Sequence, residues 1–233
     1  ENFSRGTLRQ VYAYLKGQKY LWEMILVNDG SSDNTLELLN KFSVSVPNVR
    51  VINNPHQGKA ATIISGALSA TGEIILFTDM DQATPITEAD KVLAKFNQGF
   101  DIVIGSRANR KGAPVFRYIL AYGMVILRAL ILRLPFKDTQ CGFKAFSRSA
   151  GNKIFNIMLR IHPPQTVIGP SVDPGFDVEM LYLGRKLGYK IAEVPVSWHY
   201  QESRRVRFFS DAISGITGLL LVRFRSLTNA YGL

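Results

Sequence analysis

Short, almost uninterrupted apolar runs that alternate with helix-patterned segments constrain this chain more than any other feature. "WEMILVNDG", "VRVINN", "EIILFTDMD" and "FDIVIGSR" are too short and too evenly apolar for amphipathic helices. Runs of this kind suit strands buried on both faces, and the helical stretches between them suit the crossovers of a mostly parallel α/β sheet. In such sheets ligands bind beyond the carboxyl ends of the strands. The ends here read "NDGSSD", "TDMD" and "GSRANRK", all polar or charged, and the functional site is expected there.

The remaining elements follow from pattern. Apolar residues at 8, 11, 12 and 15 predict a helix over Thr7–Lys16. Further helices are expected over Thr35–Phe42, over "GKAATIISGALSATG", near 86–97, near 115–134, near 149–160 and over "FDVEMLYLGRKLG". "DTQCGFKAF" is expected to be extended, "HPPQTVIGPSVDPG" to be a loop and "YKIAEVPVSW" to be a strand.

Composition narrows the function. The 233 residues carry 28 Lys+Arg against 18 Asp+Glu, a net charge of +10 that calls for an anionic partner: nucleic acid, phosphorylated substrate or acidic membrane. Aromatics do not interleave with the basic residues, which argues against nucleic acid. The single cysteine, Cys141, excludes an internal disulfide framework. No apolar run reaches the roughly 18–20 residues that span a bilayer. Residues 118–132 and 208–222 come partway; with Arg128, Arg133, Arg205, Arg207, Arg223 and Arg225 around them, they suit helices lying on anionic lipid. Leu219, Leu220 and Leu221 are expected to touch that lipid together. Walker, GxGxxG, HExxH and GxSxG motifs are all missing, and three scattered histidines make a zinc site a poor reading.

Asp79 and Asp81 close the third run one residue apart, where two carboxylates repel unless something positive lies between them. Either they sit on a solvated turn or they hold a cation. With Asp29 at one strand end and Arg107, Arg110 and Lys111 at another, the strand ends could hold Mg²⁺ or Mn²⁺ together with a diphosphate.

"ILVNDGSSDNT", "GKAATIISGALSATGEIILFTDMDQATP", "DIVIGSRA", "LPFKDTQCGFKAF" and "GFDVEMLYLGRKLGYKIAEVPVSW" occur in an order that resembles the family 2 glycosyltransferases. The nearer likeness is to the polyprenyl- and dolichyl-phosphate glucosyltransferases, the mannose synthases being more distant. The resemblance runs from about residue 7 to 211. It implies a GT-A, Rossmann-like fold and inverting transfer of a hexose, from UDP-glucose, to a polyprenyl or dolichyl phosphate at the cytoplasmic face of a membrane. GDP-mannose is the alternative donor, and a sugar nucleotidyltransferase is the alternative of a different class.

The resemblance also implies roles. Asp29 matches the aspartate at the nucleobase, Asp79 and Asp81 the metal-binding pair, and Lys59 a residue facing the nucleotide. Arg107 matches an arginine at the phosphates, Arg117 one near the acceptor, and Arg205, beside Arg204, a basic residue reaching back to the diphosphate. Asp138 falls at the catalytic centre, and Asp177 and Glu179 fall in the acceptor-side helix. Two departures stand out. Ala83 replaces a glutamine that helps hold the metal in the mannose synthases, and the family's opening strand and P-x-Y-N-E turn are not found, which implies residues before Glu1. The expected division is a catalytic domain over 1–207 and a membrane-proximal amphipathic helix over 208–233.

Overall fold

The computed structural model describes residues 6–107, 115–169, 175–199 and 208–233, the side chains of 115–121 and 208–212 excepted. In chain order the elements are α1 (Thr7–Lys16), β1 (Met24–Asp29), α2 (Thr35–Ser45), β2 (Val49–Asn54), α3 (Gly58–Ser69), β3 (Ile74–Phe77), α4 (Ala89–Phe96) and β4 (Ile102–Arg107). Then follow α5 (Val115–Leu132), β5 (Lys144–Ser147), α6 (Arg148–Ile161), α7 (Phe176–Lys186), β6 (Ile191–Val196) and α8 (Phe208–Leu227). Arg110, Lys111, Arg204, Arg205 and Arg207 lie outside the described residues, and Arg117 is described only as backbone of α5.

The strands form two hydrogen-bonded groups, β1–β2 and β3–β5–β4–β6. β1 runs parallel to β2 and β4 parallel to β6. β5 is the reversed strand, antiparallel to both β3 and β4, with Phe77 and Ile104 both opposite Lys144. The expectation of an extended segment over residues 138–146 holds only for its last three residues, and pattern did not reveal the reversal. The reversal matters: a strand entering the sheet backwards starts at its neighbours' carboxyl ends. It therefore brings the preceding loop, with Asp138, to the edge where β3 delivers Asp79.

β4 is buried on both faces, as its unbroken apolar run requires. Its side chains alternate between layers: Ile102 and Ile104 pack with α6 and α7, and Val103 packs with Val92 of α4. Acids in the first turn of α7, Asp177 and Glu179, and bases in its last, Arg185 and Lys186, oppose the helix dipole favourably. β6 is an edge strand, which is why it tolerates Pro195. Leu219, Val222 and Tyr231, from α8 and the segment after it, enter the same core as α6 and α7.

Candidate active site

The strand ends meet through α3. Asp29 closes β1, and its carboxylate accepts from the Gln57 and Gly58 amides at 2.7 and 2.9 Å, capping the start of α3. Gly30 must follow it: φ is +67°, and a Cβ there would sit 2.5 Å from the His56 nitrogen. One residue into α3, Lys59 extends its Nζ to Asp79 Oδ1 at 2.7 Å. Thus Asp29, Lys59 and Asp79, separate in sequence, form one line across the sheet edge.

The Asp29 carboxylate also meets His56 Nδ1 at 2.8 Å, while His56 Nε2 lies 2.9 Å from the Gly169 carbonyl. Both partners are acceptors, so the ring satisfies both only as the imidazolium. The Gly169 carbonyl and then Asp29 raise the His56 pKa above its ordinary value. Val167 donates to the His56 carbonyl at 2.9 Å, fastening the loop after α6 over the start of α3. A cavity of about 290 Å³ lies between them, bordered by Lys59, His162 and Gln165.

Asp79 and Arg107 line one pocket, with Thr84, Gln140, Cys141 and Trp198. Gly142 forms its floor beneath Asp79, for a Cβ there would lie 1.8 Å from Asp79 Oδ2. Asp81, two residues on, is not among the residues that line this pocket; its Oδ1 accepts from the Ala83 amide at 3.0 Å. Gln82, in the left-handed region at φ +49°, turns its side chain back to Thr78 Oγ1 and the Asp79 carbonyl. The Gln82 side-chain nitrogen is thus engaged within its own turn, and Ala83 has no side-chain oxygen to stand in for the glutamine of the mannose synthases.

Asp138 is held in place by Arg107. Its Oδ2 accepts from Arg107 Nε at 2.5 Å and from the Arg107 amide at 3.1 Å, and its Oδ1 accepts from Arg107 Nη2 at 2.8 Å and the Gln140 amide at 3.2 Å. Burial alone would lower the Arg107 pKa, but the hydrogen bonds and charge of Asp138 hold it above the usual value. The indole of Trp198 faces the guanidinium, 5.8 Å from ring centre to Cζ. Burial pushes the Cys141 thiol up, so it remains neutral.

The two acidic residues of α7 part company. Asp177 pairs at 2.6 Å with Nζ of Lys144, a fully buried lysine that also donates to the Cys141 carbonyl beneath the pocket. Glu179 does not reach the pocket. It is fully buried and bonded to His162 at 2.5 Å, Arg225 at 2.9 Å and Tyr231 Oη at 2.6 Å. Burial alone would raise its pKa; the hydrogen bonds from His162 and Tyr231, with the charges of His162 and Arg225, hold it below the usual carboxylate range.

Two of the arginines expected on lipid also point inward. Arg128 is buried, donating to Thr139 Oγ1 and the Phe136 carbonyl, and Arg225 serves Glu179. Arg133 and Arg223 are exposed. The leucine run divides as well: Leu219 is 2% exposed, whereas Leu220 and Leu221 are 54% and 40% exposed. Sequence reasoning missed Lys144, Trp198 and Glu193. A lysine inside the apolar run "FKAF" was the available signal for the first.

The glycosyl transferase family 2 model matches residues 3–155. Dolichyl-phosphate beta-glucosyltransferase ALG5C of Trichomonas vaginalis is 35% identical over 210 residues, covering 82% of this chain and 58% of its own length. The human dolichyl-phosphate beta-glucosyltransferase is 33% identical over 229 residues, covering 92% of this chain and 67% of its own. The chain thus spans 58% to 63% of the length of the Trichomonas relatives it matches. Among solved structures, mannosyl-3-phosphoglycerate synthase from Rubrobacter xylanophilus superposes with a TM-score of 0.62 at 14% identity, covering 98% of this chain and 70% of its own. Mannosyltransferase PcManGT from Pyrobaculum calidifontis, in complex with GDP-Man and Mn²⁺, gives 0.57 at 17% identity, covering 97% and 60%. At these identities the likeness is one of fold.

Proposed function

The chain belongs to glycosyl transferase family 2 and has the GT-A fold, and we propose that it transfers glucose from UDP-glucose to a polyprenyl or dolichyl phosphate at the cytoplasmic surface of a membrane. The observation that carries this reading is the meeting of Asp79 and Arg107 in one pocket, beside Lys59, at the carboxyl ends of β3 and β4. A carboxylate beside two cations is suited to a ligand that arrives as a diphosphate with a metal ion. The similar dolichyl-phosphate beta-glucosyltransferases support the choice of sugar and acceptor.

Mg²⁺ or Mn²⁺ fits the carboxylates of Asp79 and Asp81, which are hard oxygen donors carried on one turn, closed by the Gln82 amide on the Asp79 carbonyl, directly after β3. No group of three or more His, Cys, Asp or Glu suited to a metal stands among the described residues. Two carboxylates with donor phosphates complete such a shell. When bound, the cation would offset the charge that develops on the diphosphate. Arg107, fixed by Asp138 and Trp198, meets the same diphosphate. Asp29 holds the nucleobase side through α3, with Lys59 beside the nucleotide. The resemblance assigns Arg117 to the acceptor side and Arg205 to the diphosphate, both outside the described side chains, and Asp177, held by Lys144, to the acceptor side.

The reaction needs little proton removal. A lipid phosphate has a second pKa near 6, so at neutral pH it is largely the dianion. Its oxygen attacks the anomeric carbon in line as the bond to the diphosphate breaks, which inverts the configuration to a β-linked product. All four hydrogen bonds that Asp138 accepts from Arg107 and Gln140 would compete with a role as base. Its role is to aim Arg107.

The long acceptor chain calls for a bilayer. α5 exposes Tyr122, Ile126 and Leu130, and α8, against which α5 packs, exposes Ile213, Leu220, Phe224 and Leu227. Arg133 and Arg223 lie on the exposed surface of the same region. No helix among the described residues is long and apolar enough to cross a membrane. The test is a panel of UDP- and GDP-sugars with a short polyprenyl phosphate and Mg²⁺ or Mn²⁺. Glucosyl transfer from UDP-glucose, abolished by chelator, is expected. Transfer from GDP-mannose alone would replace the donor, and no transfer from any donor would overturn the reading.

A further inference from the structure

Asp138 and Thr139 are almost completely buried, although the loop that carries them belongs to no helix or strand. Two side chains hold that loop from opposite sides. From α5, Arg128 donates to Thr139 Oγ1 at 3.1 Å and to the Phe136 carbonyl. From β6, Glu193 spans two consecutive amides: Oε2 accepts from Lys137 at 3.0 Å and Oε1 from Asp138 at 2.8 Å. Glu193 is paired in register with Ile104, and Arg107 with Val196, so one parallel strand pair sets both ends of the arrangement. The indole facing Arg107, Trp198, lies just beyond the same strand.

We propose that Glu193 is a positioning residue for transfer: its carboxylate fixes the Asp138 backbone, Asp138 fixes the Arg107 guanidinium, and Arg107 meets the diphosphate. This rests on reading the pocket as the nucleotide-sugar site and adds a residue outside its lining. Both carboxylate oxygens are needed, because each serves a different amide. Glutamine in that place turns an NH₂ toward one of the two amides, donor against donor, and frees the loop at that point. Aspartate keeps the charge but is one methylene short of both amides.

The experiment measures single-turnover transfer from saturating UDP-glucose to a short polyprenyl phosphate, beside thermal midpoints, for the wild type, Glu193→Gln, Glu193→Asp, Asp138→Asn and the Glu193→Gln/Asp138→Asn double variant. Both Glu193 variants should transfer about tenfold more slowly, the scale of one misdirected charged contact, with midpoints near wild type. The double variant should be no slower than the slower of its parents, because the two residues act through one arginine. Wild-type speed in Glu193→Gln, or losses that multiply in the double variant, overturns the proposal. If Glu193→Gln does not fold, Glu193→Asp decides, and loss of the fold there too assigns Glu193 a purely structural role. A wild type that transfers from no nucleotide-sugar sinks the reading of the pocket itself and is thereby distinguished from these outcomes.

Discussion

Two arginine–carboxylate pairs in this protein are nearly matched in burial. Asp138 and Arg107 are 4% and 22% exposed as side chains, and Glu179 and Arg225 are 0% and 21%. Sequence reasoning placed both acids in the catalytic region. The first pair borders a pocket and has Trp198 over its cation; the second is closed in by His162 and Tyr231 where α8 meets α7. Burial and bond count therefore do not distinguish the pair proposed to act in transfer from the pair that holds the fold. The distinction lies in whether the arginine has an open side where a ligand can arrive.

The sharpest way to break that comparison is Glu179→Ala. It leaves Arg225, His162 and Tyr231 facing a buried gap, which should cost roughly 3–5 kcal/mol of stability, read by urea denaturation. Transfer per folded molecule to a short acceptor should change little. Because the folded pKa of Glu179 is depressed, its contribution is complete above the ordinary carboxylate value near 4.5 and is lost as pH falls through the lower folded value. The gap between wild type and Glu179→Ala should therefore close in acid. Lost catalysis with intact stability would place Glu179 in the site after all.

Asp81→Ala should behave in the opposite way. Its carboxylate makes an Asx turn with Ala83, so stability should fall little, while transfer should slow roughly 10²-fold or more if the metal loses a ligand. Normal turnover in the variant, or full wild-type activity in excess chelator, would remove the metal from the site.

Much of the architecture was legible because it is local. Helical spacing located α1 over Thr7–Lys16, and "VRVINN" is β2 as written. The reversal of β5 was hidden because strand direction depends on which edge the chain re-enters after α5, a long-range matter. Other misreadings were avoidable. Residues two apart on a helix point to different faces, so Asp177 and Glu179 could not both look into one pocket; Asp177 meets Lys144 and Glu179 meets Arg225. Three consecutive leucines cannot share a face for the same reason. Glu193 was illegible in principle, since its partners are backbone amides of a loop remote in sequence.

That division of the leucines sharpens the comparison between α8 as anchor and α8 as surface. Leu220→Ser with Leu221→Ser removes the two leucines of the run that are partly exposed, at 54% and 40%. Binding to anionic vesicles should weaken about tenfold, in keeping with partial immersion of two leucines, while urea stability falls less than for Leu219→Ser. Leu219→Ser should do the reverse, because it opens the core that Val222 and Tyr231 share. Transfer to a long-chain acceptor in vesicles should fall with the first variant, and transfer to a short soluble acceptor should not. Equal loss on both acceptors would mean that the outward face of α8 contributes to chemistry rather than docking.

The smallest effect concerns a third paired acid, Asp29, whose partner His56 has its pKa raised by the Gly169 carbonyl and Asp29. His56 donates to Asp29 and to the Gly169 carbonyl at once only when protonated, and these bonds raise its pKa above the ordinary 6.5. A raised folded value means that its stabilising contribution is complete below about pH 6.5 and is lost as pH rises through the folded pKa. His56→Leu removes the titration. The stability difference between wild type and His56→Leu, measured in urea from pH 5.5 to 9, should be widest at the acid end and narrow steadily above neutrality. Protection of the Val167 amide, which donates to the His56 carbonyl, should decline over the same range once intrinsic exchange rates are removed. Unlike the two arginine pairs, this one should release its loop with pH alone. A difference that widens as pH rises would show that neutral His56 makes the bond to Asp29, leaving the Gly169 contact without a donor.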